Sequence, residues 1–70
     1  MKTMQKDKIK ITGHIGTWYV IDETIWKGEK VFLLEHETYG DEAACLIVNE
    51  KLEIILEDVW NGFDDLEDLD

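Results

Sequence analysis

Three short apolar runs constrain this chain more than any other feature. They are Trp18, Tyr19, Val20 and Ile21; Val31, Phe32, Leu33 and Leu34; and Ala43, Ala44, Cys45, Leu46, Ile47 and Val48. All fall far below the roughly 20 residues that cross a bilayer. Their length and their aromatic and β-branched content suit strands. A strand with one wet face alternates polar and apolar positions, and these runs do not. Because successive side chains of a strand point to opposite faces, both faces of such strands need cover.

The rest of the chain places turns between these runs. Residues 8–12 alternate around Ile9 and Ile11, as in a half-buried edge strand. Gly13 and Gly16 bracket a turn, and residues 18–26 read as a long strand. Lys27, Gly28 and Glu29 form a tight hairpin connection before a strand over 31–38. Tyr39, Gly40, Asp41 and Glu42 make a turn, residues 43–48 a strand, Asn49, Glu50 and Lys51 a second hairpin, and 52–57 a last strand. Then the period changes: Phe63, Leu66 and Leu69 share one face of a short helix, with Asp64 as its cap and Glu67 completing a capping box. The fold class is therefore mainly β (α+β): an antiparallel meander of about five strands, a small open barrel or curled sheet, with a short C-terminal helix. The tail helix can cover part of one face; barrel closure or a second copy must cover the other.

At 70 residues there is room for one domain, 1–70. Residues 1–7 are expected to be flexible, 8–57 to form the meander, and 58–70 to be an acidic tail with the helix. A chain of this size buries only about 60% of its unfolded surface. It has one cysteine, so no internal disulfide, and no Cys/His cluster for a structural zinc. A dense core or self-association must supply the stability. The lone thiol, the lack of an apolar leader and the short apolar runs point to a cytoplasmic protein.

Seventeen acids against seven lysines give a net charge of −10, with no arginine. Such a chain is repelled by nucleic acid and anionic lipid, so direct nucleic-acid binding and membrane association are disfavoured. A basic protein surface is the better match. The charge is uneven, with four lysines against Asp7 in residues 1–11 and seven acids without a base in 57–70. The plainer account of that acidic run is a solvated face that keeps the protein soluble.

Catalytic signatures are weak. In Glu35-His36-Glu37 the two carboxylates share one strand face and the histidine takes the other, which leaves a surface or interface histidine. His14, between glycines, reads as a loop residue. Cys45 has no basic neighbour in sequence to activate it and reads as a buried structural thiol. The chain has no serine. The paired acids Asp22-Glu23, Asp41-Glu42, Glu57-Asp58 and Asp64-Asp65 lie at turns and strand ends, where acids are common because they are wet. Residues 58–64 lack the register of a calcium loop, and no glycine-rich phosphate loop exists. No catalytic residue, metal ligand or cofactor is assigned.

Two places combine aromatics with acids and form the candidate partner-binding set: Tyr39, Asp41 and Glu42, and Trp60, Asn61, Phe63, Asp64 and Asp65. Tryptophan and tyrosine favour binding hot spots, and acids around them select a basic partner. The alternative is that Trp60 and Phe63 close the core under the helix.

Four segments carry a family resemblance: residues 16–23 (Gly16, Thr17, Trp18 onward), 32–37 (Phe32 to Glu37), 39–44 (Tyr39 onward) and 58–66 (Asp58, Val59, Trp60, Asn61, Gly62 onward). Together they resemble the large polyvalent protein-associated domains of conjugative elements and phages of Gram-positive bacteria. The resemblance spans roughly residues 16–66 and leaves 1–12 outside. It implies a mobile-element context and an accessory role, such as countering host defence or aiding establishment after transfer, and carries over no active site. The first functional expectation is thus an acidic, non-catalytic protein-interaction module that binds a basic host or element protein, for example a DNA-binding one. The second is a structural homo-oligomerisation module. The third, weaker, is a small-ligand or enzymatic pocket near His36, Tyr39 and Trp60.

Overall fold

The computed structural model describes residues 8–69, so the expectation for residues 1–7 lies outside the described part. Five antiparallel strands run in sequence order through one sheet: β1 (Lys8–Ile9), β2 (Trp18–Trp26), β3 (Glu29–His36), β4 (Cys45–Asn49) and β5 (Ile54–Val59). The sheet curls into a half-barrel, and a 3-10 helix (Gly62–Leu69) closes the chain. The expected mainly β meander with a short C-terminal helix is what the chain forms.

Alternation on the central strands builds two cores, one on each side of the sheet. Trp18, Leu34, Leu46 and Val48 pack on the first side with Ile11 of the β1–β2 loop, and Ile9, Val20, Phe32 and Ile54 flank them. Val31, Leu33, Ile47 and Val59 pack on the second side against Leu66 of the helix, with Trp26, Ile55, Leu56 and Phe63 around them. Val31, Leu34, Ile47, Val48 and Val59 are fully buried in one chain, each contributing about 1.5–3 kcal/mol of apolar burial. One chain thus covers both faces, by curling and by folding its tail back. The central strands β3 and β4 are covered this way, whereas Ile21 and Ile25 of β2 stay exposed.

A bulge in β2 makes this possible. Val20 pairs with Leu34 and Asp22 with Leu33, so Ile21 is the extra residue. Counting by twos, Val20 and Trp26 would share a face. The insertion puts Val20 in the first core and Trp26 in the second.

Local chemistry sets the turns. Lys27 (φ 52°) and Gly28 (φ 81°) are both left-handed, the geometry of a two-residue hairpin whose twist matches its strands. In the second hairpin the Asn49 side chain accepts from Lys51 N (2.9 Å) and Glu53 N (2.9 Å), and Leu52 turns left-handed (φ 63°). That turn delays β5 to Ile54, two residues later than expected. β1 is shorter than expected, β3 starts at Glu29, and β4 starts at Cys45.

The capping box does not form. Asp64 lies inside the helix, which starts at Gly62. Asp65 instead reaches back, its Oδ2 accepting from Trp60 N (2.9 Å) and Asn61 N (3.2 Å).

Candidate functional site

Antiparallel order places the β1–β2 loop, the β3–β4 loop and the exit from β5 at the same end of the sheet. His14 of the first loop reaches across to β5, with Nε2 3.6 Å from Glu57 Oε2. The last residues of β5 set up the site. Val59 pairs with Cys45 and is fully buried. Its neighbours Asp58 (φ 56°) and Trp60 turn outward, and Trp60 remains 62% exposed.

An open groove of about 270 Å³ runs along β5 and the helix, lined by Leu56, Glu57, Asp58, Trp60, Asn61, Asp65 and Asp68. Helix period explains the lining. A 3-10 helix has three residues per turn, so side chains three apart stack in rows. One row, Phe63 and Leu66, faces the second core, with Leu69 at its exposed end. Another row, Asp65 and Asp68, faces Glu57 and Asp58 across the groove.

The four carboxylates are not equivalent. Asp65 is committed to structure: the backbone N–H of Trp60, that of Asn61, and the Asn61 side-chain amide (Nδ2 to Oδ1, 3.2 Å) hold its carboxyl below the usual 3.8. It therefore fixes the segment that presents Trp60. Glu57, Asp58 and Asp68 are exposed acids on the groove wall. The arrangement can accept a cation over the indole face with carboxylates beside it, worth about 0.5–2 kcal/mol for the ring contact alone.

Of the eight sequence candidates, the groove brings together Trp60, Asn61 and Asp65. Phe63 is half-buried in the second core, and Asp64 is exposed on the helix but does not line the groove. Trp60 and Phe63, which the sequence left open between core and surface, divide: Trp60 goes out and Phe63 goes in. Tyr39, Asp41 and Glu42 are exposed on the β3–β4 loop at the same end of the sheet and line no part of this groove. Leu56, Glu57, Asp58 and Asp68 were missed. The acidic run that holds three of them was visible, but not the helix's return onto β5.

Other candidates take structural places. His36 packs edge-on to Trp18 (ring centroids 4.9 Å) and against Tyr39 (5.0 Å). Its Nδ1 accepts from the backbone of Thr38 (3.0 Å) and Tyr39 (3.4 Å), so it holds a turn instead of facing solvent freely. Glu37 accepts from Lys8 Nζ (3.0 Å) and the Tyr19 hydroxyl (3.1 Å), which lower its carboxyl pKa, while the same pairing raises that of Lys8. Cys45 is half-buried; burial, helped by the Glu35 carboxylate, pushes its thiol up and keeps it protonated. His36 and Tyr39 do not share the groove of Trp60. Among the described residues, no group of three or more His, Cys, Asp or Glu side chains could hold a metal ion. None of their helices is long and apolar enough to cross a membrane.

The family model of large polyvalent protein-associated domain 18 matches residues 2–68. The chain belongs to that family. The match covers more than the four segments that carried the resemblance, taking in the N-terminal lysines as well. No curated protein and no solved structure matches the chain.

Proposed function

We propose that this large polyvalent protein-associated domain is a non-catalytic, cytoplasmic interaction module. It takes a basic segment of a partner protein into the Trp60 groove. The observation that carries this reading is one tryptophan, 62% exposed, set in a groove with Glu57, Asp58, Asp65 and Asp68. Exposed tryptophans dominate interface energetics, and surrounding acids select the sign of the partner's charge. Asp65, held by three donors, braces the segment that presents Trp60 and leaves Glu57, Asp58 and Asp68 as the acids that meet the partner. Membership of the family supports an accessory role on a mobile genetic element.

Binding of a lysine- and arginine-rich peptide, followed by calorimetry at two salt concentrations, tests the site. Affinity should fall steeply with salt. Trp60→Ala and the pair Asp58→Asn, Asp68→Asn should each weaken it about tenfold or more. Asp41→Asn with Glu42→Gln removes the same charge from the β3–β4 loop and should change affinity less than threefold at moderate salt. Equal losses from both charge pairs, with none from Trp60→Ala, would assign the binding to overall charge and reject the groove.

The homo-oligomerisation alternative drew on doubly apolar strands; β3 and β4 are buried on both faces within one chain, and among the described residues only Ile21 and Ile25 of β2 are left as exposed apolar strand residues to support it. A basic partner is therefore the reading with a specific observation behind it.

A further inference from the structure

We infer that His36 is a proton-operated latch on the β3–β4 loop. The loop carries Tyr39, Asp41 and Glu42 at the sheet end where the Trp60 segment also emerges. Side-chain and backbone contacts converge on this one residue. Its Nδ1 accepts from Thr38 N at 3.0 Å and Tyr39 N at 3.4 Å, while its backbone oxygen accepts from Gly40 N at 2.9 Å. Its ring lies edge-on to the buried Trp18, 4.9 Å between centroids, and 5.0 Å from Tyr39. Its Nε2 fills the space over Gly16, where an added Cβ would stand 2.3 Å away. The next residue ties the same two loops together, Glu37 N donating to Thr17 O at 2.8 Å.

An imidazole nitrogen accepts only while it carries no proton. Protonating Nδ1 turns the acceptor of two amides into a donor facing donors, so those two bonds are lost and the Thr38 and Tyr39 amides are freed, while the backbone bonds from Gly40 N to His36 O and from Glu42 N to Tyr39 O remain. The strand ladder itself, Leu34 between Val20 and Leu46 and Leu33 beside Ile47, does not use these bonds, so the sheet should stay folded. Among the described residues, few charged and titratable groups surround the ring. Glu37 lies within electrostatic range and is itself held by Lys8 and Tyr19. The Tyr39 phenol stacks on the ring, and His14, on another edge of Trp18, pairs with Glu57.

Proton NMR of the full chain follows the His36 Cε1–H shift during acidification, together with amide-exchange protection of Thr38, Tyr39, Leu34 and Ile47. Protection of Thr38 and Tyr39 should fall on the order of five- to tenfold as the His36 signal titrates, with Leu34 and Ile47 unchanged. His36→Asn, whose side-chain oxygen accepts at every pH, should hold the Thr38 amide with no step. Glu37→Gln should keep the step, which excludes that carboxylate as its source. Unchanged protection while His36 titrates overturns the latch. So does a ring that stays neutral until Leu34 and Ile47 also exchange.

Discussion

Asp65 and Gly16 show how single residues fix the loops that present the candidate surface. Asp65 accepts from two backbone amides and one side-chain amide, which lower its carboxyl pKa from the usual 3.8. A depressed folded value means that its contribution is fully present above about pH 3.8 and is lost as the pH falls through the lower folded value. Urea midpoints of wild type and Asp65→Asn should therefore differ most at neutral pH and converge in acid. Parallel curves down to low pH would show that the carboxylate braces nothing. Gly16 adopts φ 94°, as Gly13 adopts 88°, yet only at Gly16 does an added Cβ meet His36 Nε2. Gly13→Ala should cost about 1–2 kcal/mol for the left-handed backbone. Gly16→Ala should cost roughly 1–3 kcal/mol more for displacing the imidazole. Chemical denaturation measures both, and equal losses would mean that the ring moves aside freely. Neither role was legible in the sequence. Asp64 and Asp65 are chemically identical neighbours, and only the start of the helix at Gly62 decides which one can reach Trp60 N. Gly16 was legible as a turn residue, but its ring contact depends on a strand 20 positions later.

At the level of elements, periodicity was legible and insertions were not. The β2 limits, Trp18–Trp26, follow from composition and the Lys27-Gly28 turn, and the doubly apolar runs did mark the central strands β3 and β4, buried on both faces. The Ile21 bulge left no trace, because Ile21 is as apolar as its neighbours and differs only in register. The late start of β5 reflects Asn49 bonding to Lys51 N and Glu53 N, a side-chain choice that competes with the strand. The row Phe63, Leu66, Leu69 was read correctly as one face. Its spacing of three fits a 3-10 helix better than an α-helix, and the same spacing put Asp65 and Asp68 on the groove wall, out of reach of a sequence reading that lacked β5 beside them. Leu66 is the helix's anchor, 3% exposed, whereas Leu69 is 40% exposed. Leu66→Ala should cost about 2–5 kcal/mol and release the groove wall, so that the Trp60 emission and peptide binding change together. Leu69→Ala should cost under about 1 kcal/mol. If Leu66→Ala kept full binding, the helix would not form that wall.

For the molecule as a whole, charge opposes compactness. The chain carries seventeen acids against seven lysines, and its described residues form a body of 39 × 27 × 21 Å. At about 10 mM salt the Debye length is roughly 30 Å, so most acids repel one another across the whole domain; at 1 M it is about 3 Å and only touching charges interact. Among the described residues, the lysine ion pairs Lys8–Glu37 and Lys30–Glu23 are exposed, and exposed pairs contribute little, about 0–1 kcal/mol each. Screening should thus remove more repulsion than attraction. The thermal midpoint of the isolated domain should rise steadily with sodium chloride from about 10 mM to 1 M, while affinity for a basic partner falls over the same range. A basic segment seated in the groove would relieve the same repulsion locally, so the midpoint gained on adding peptide should be largest at low salt. A midpoint that drops as salt is added would mean that the few lysine pairs outweigh the excess of acids. The acidic run would then act as part of the fold's own bracing and not as a surface held ready for a cationic partner.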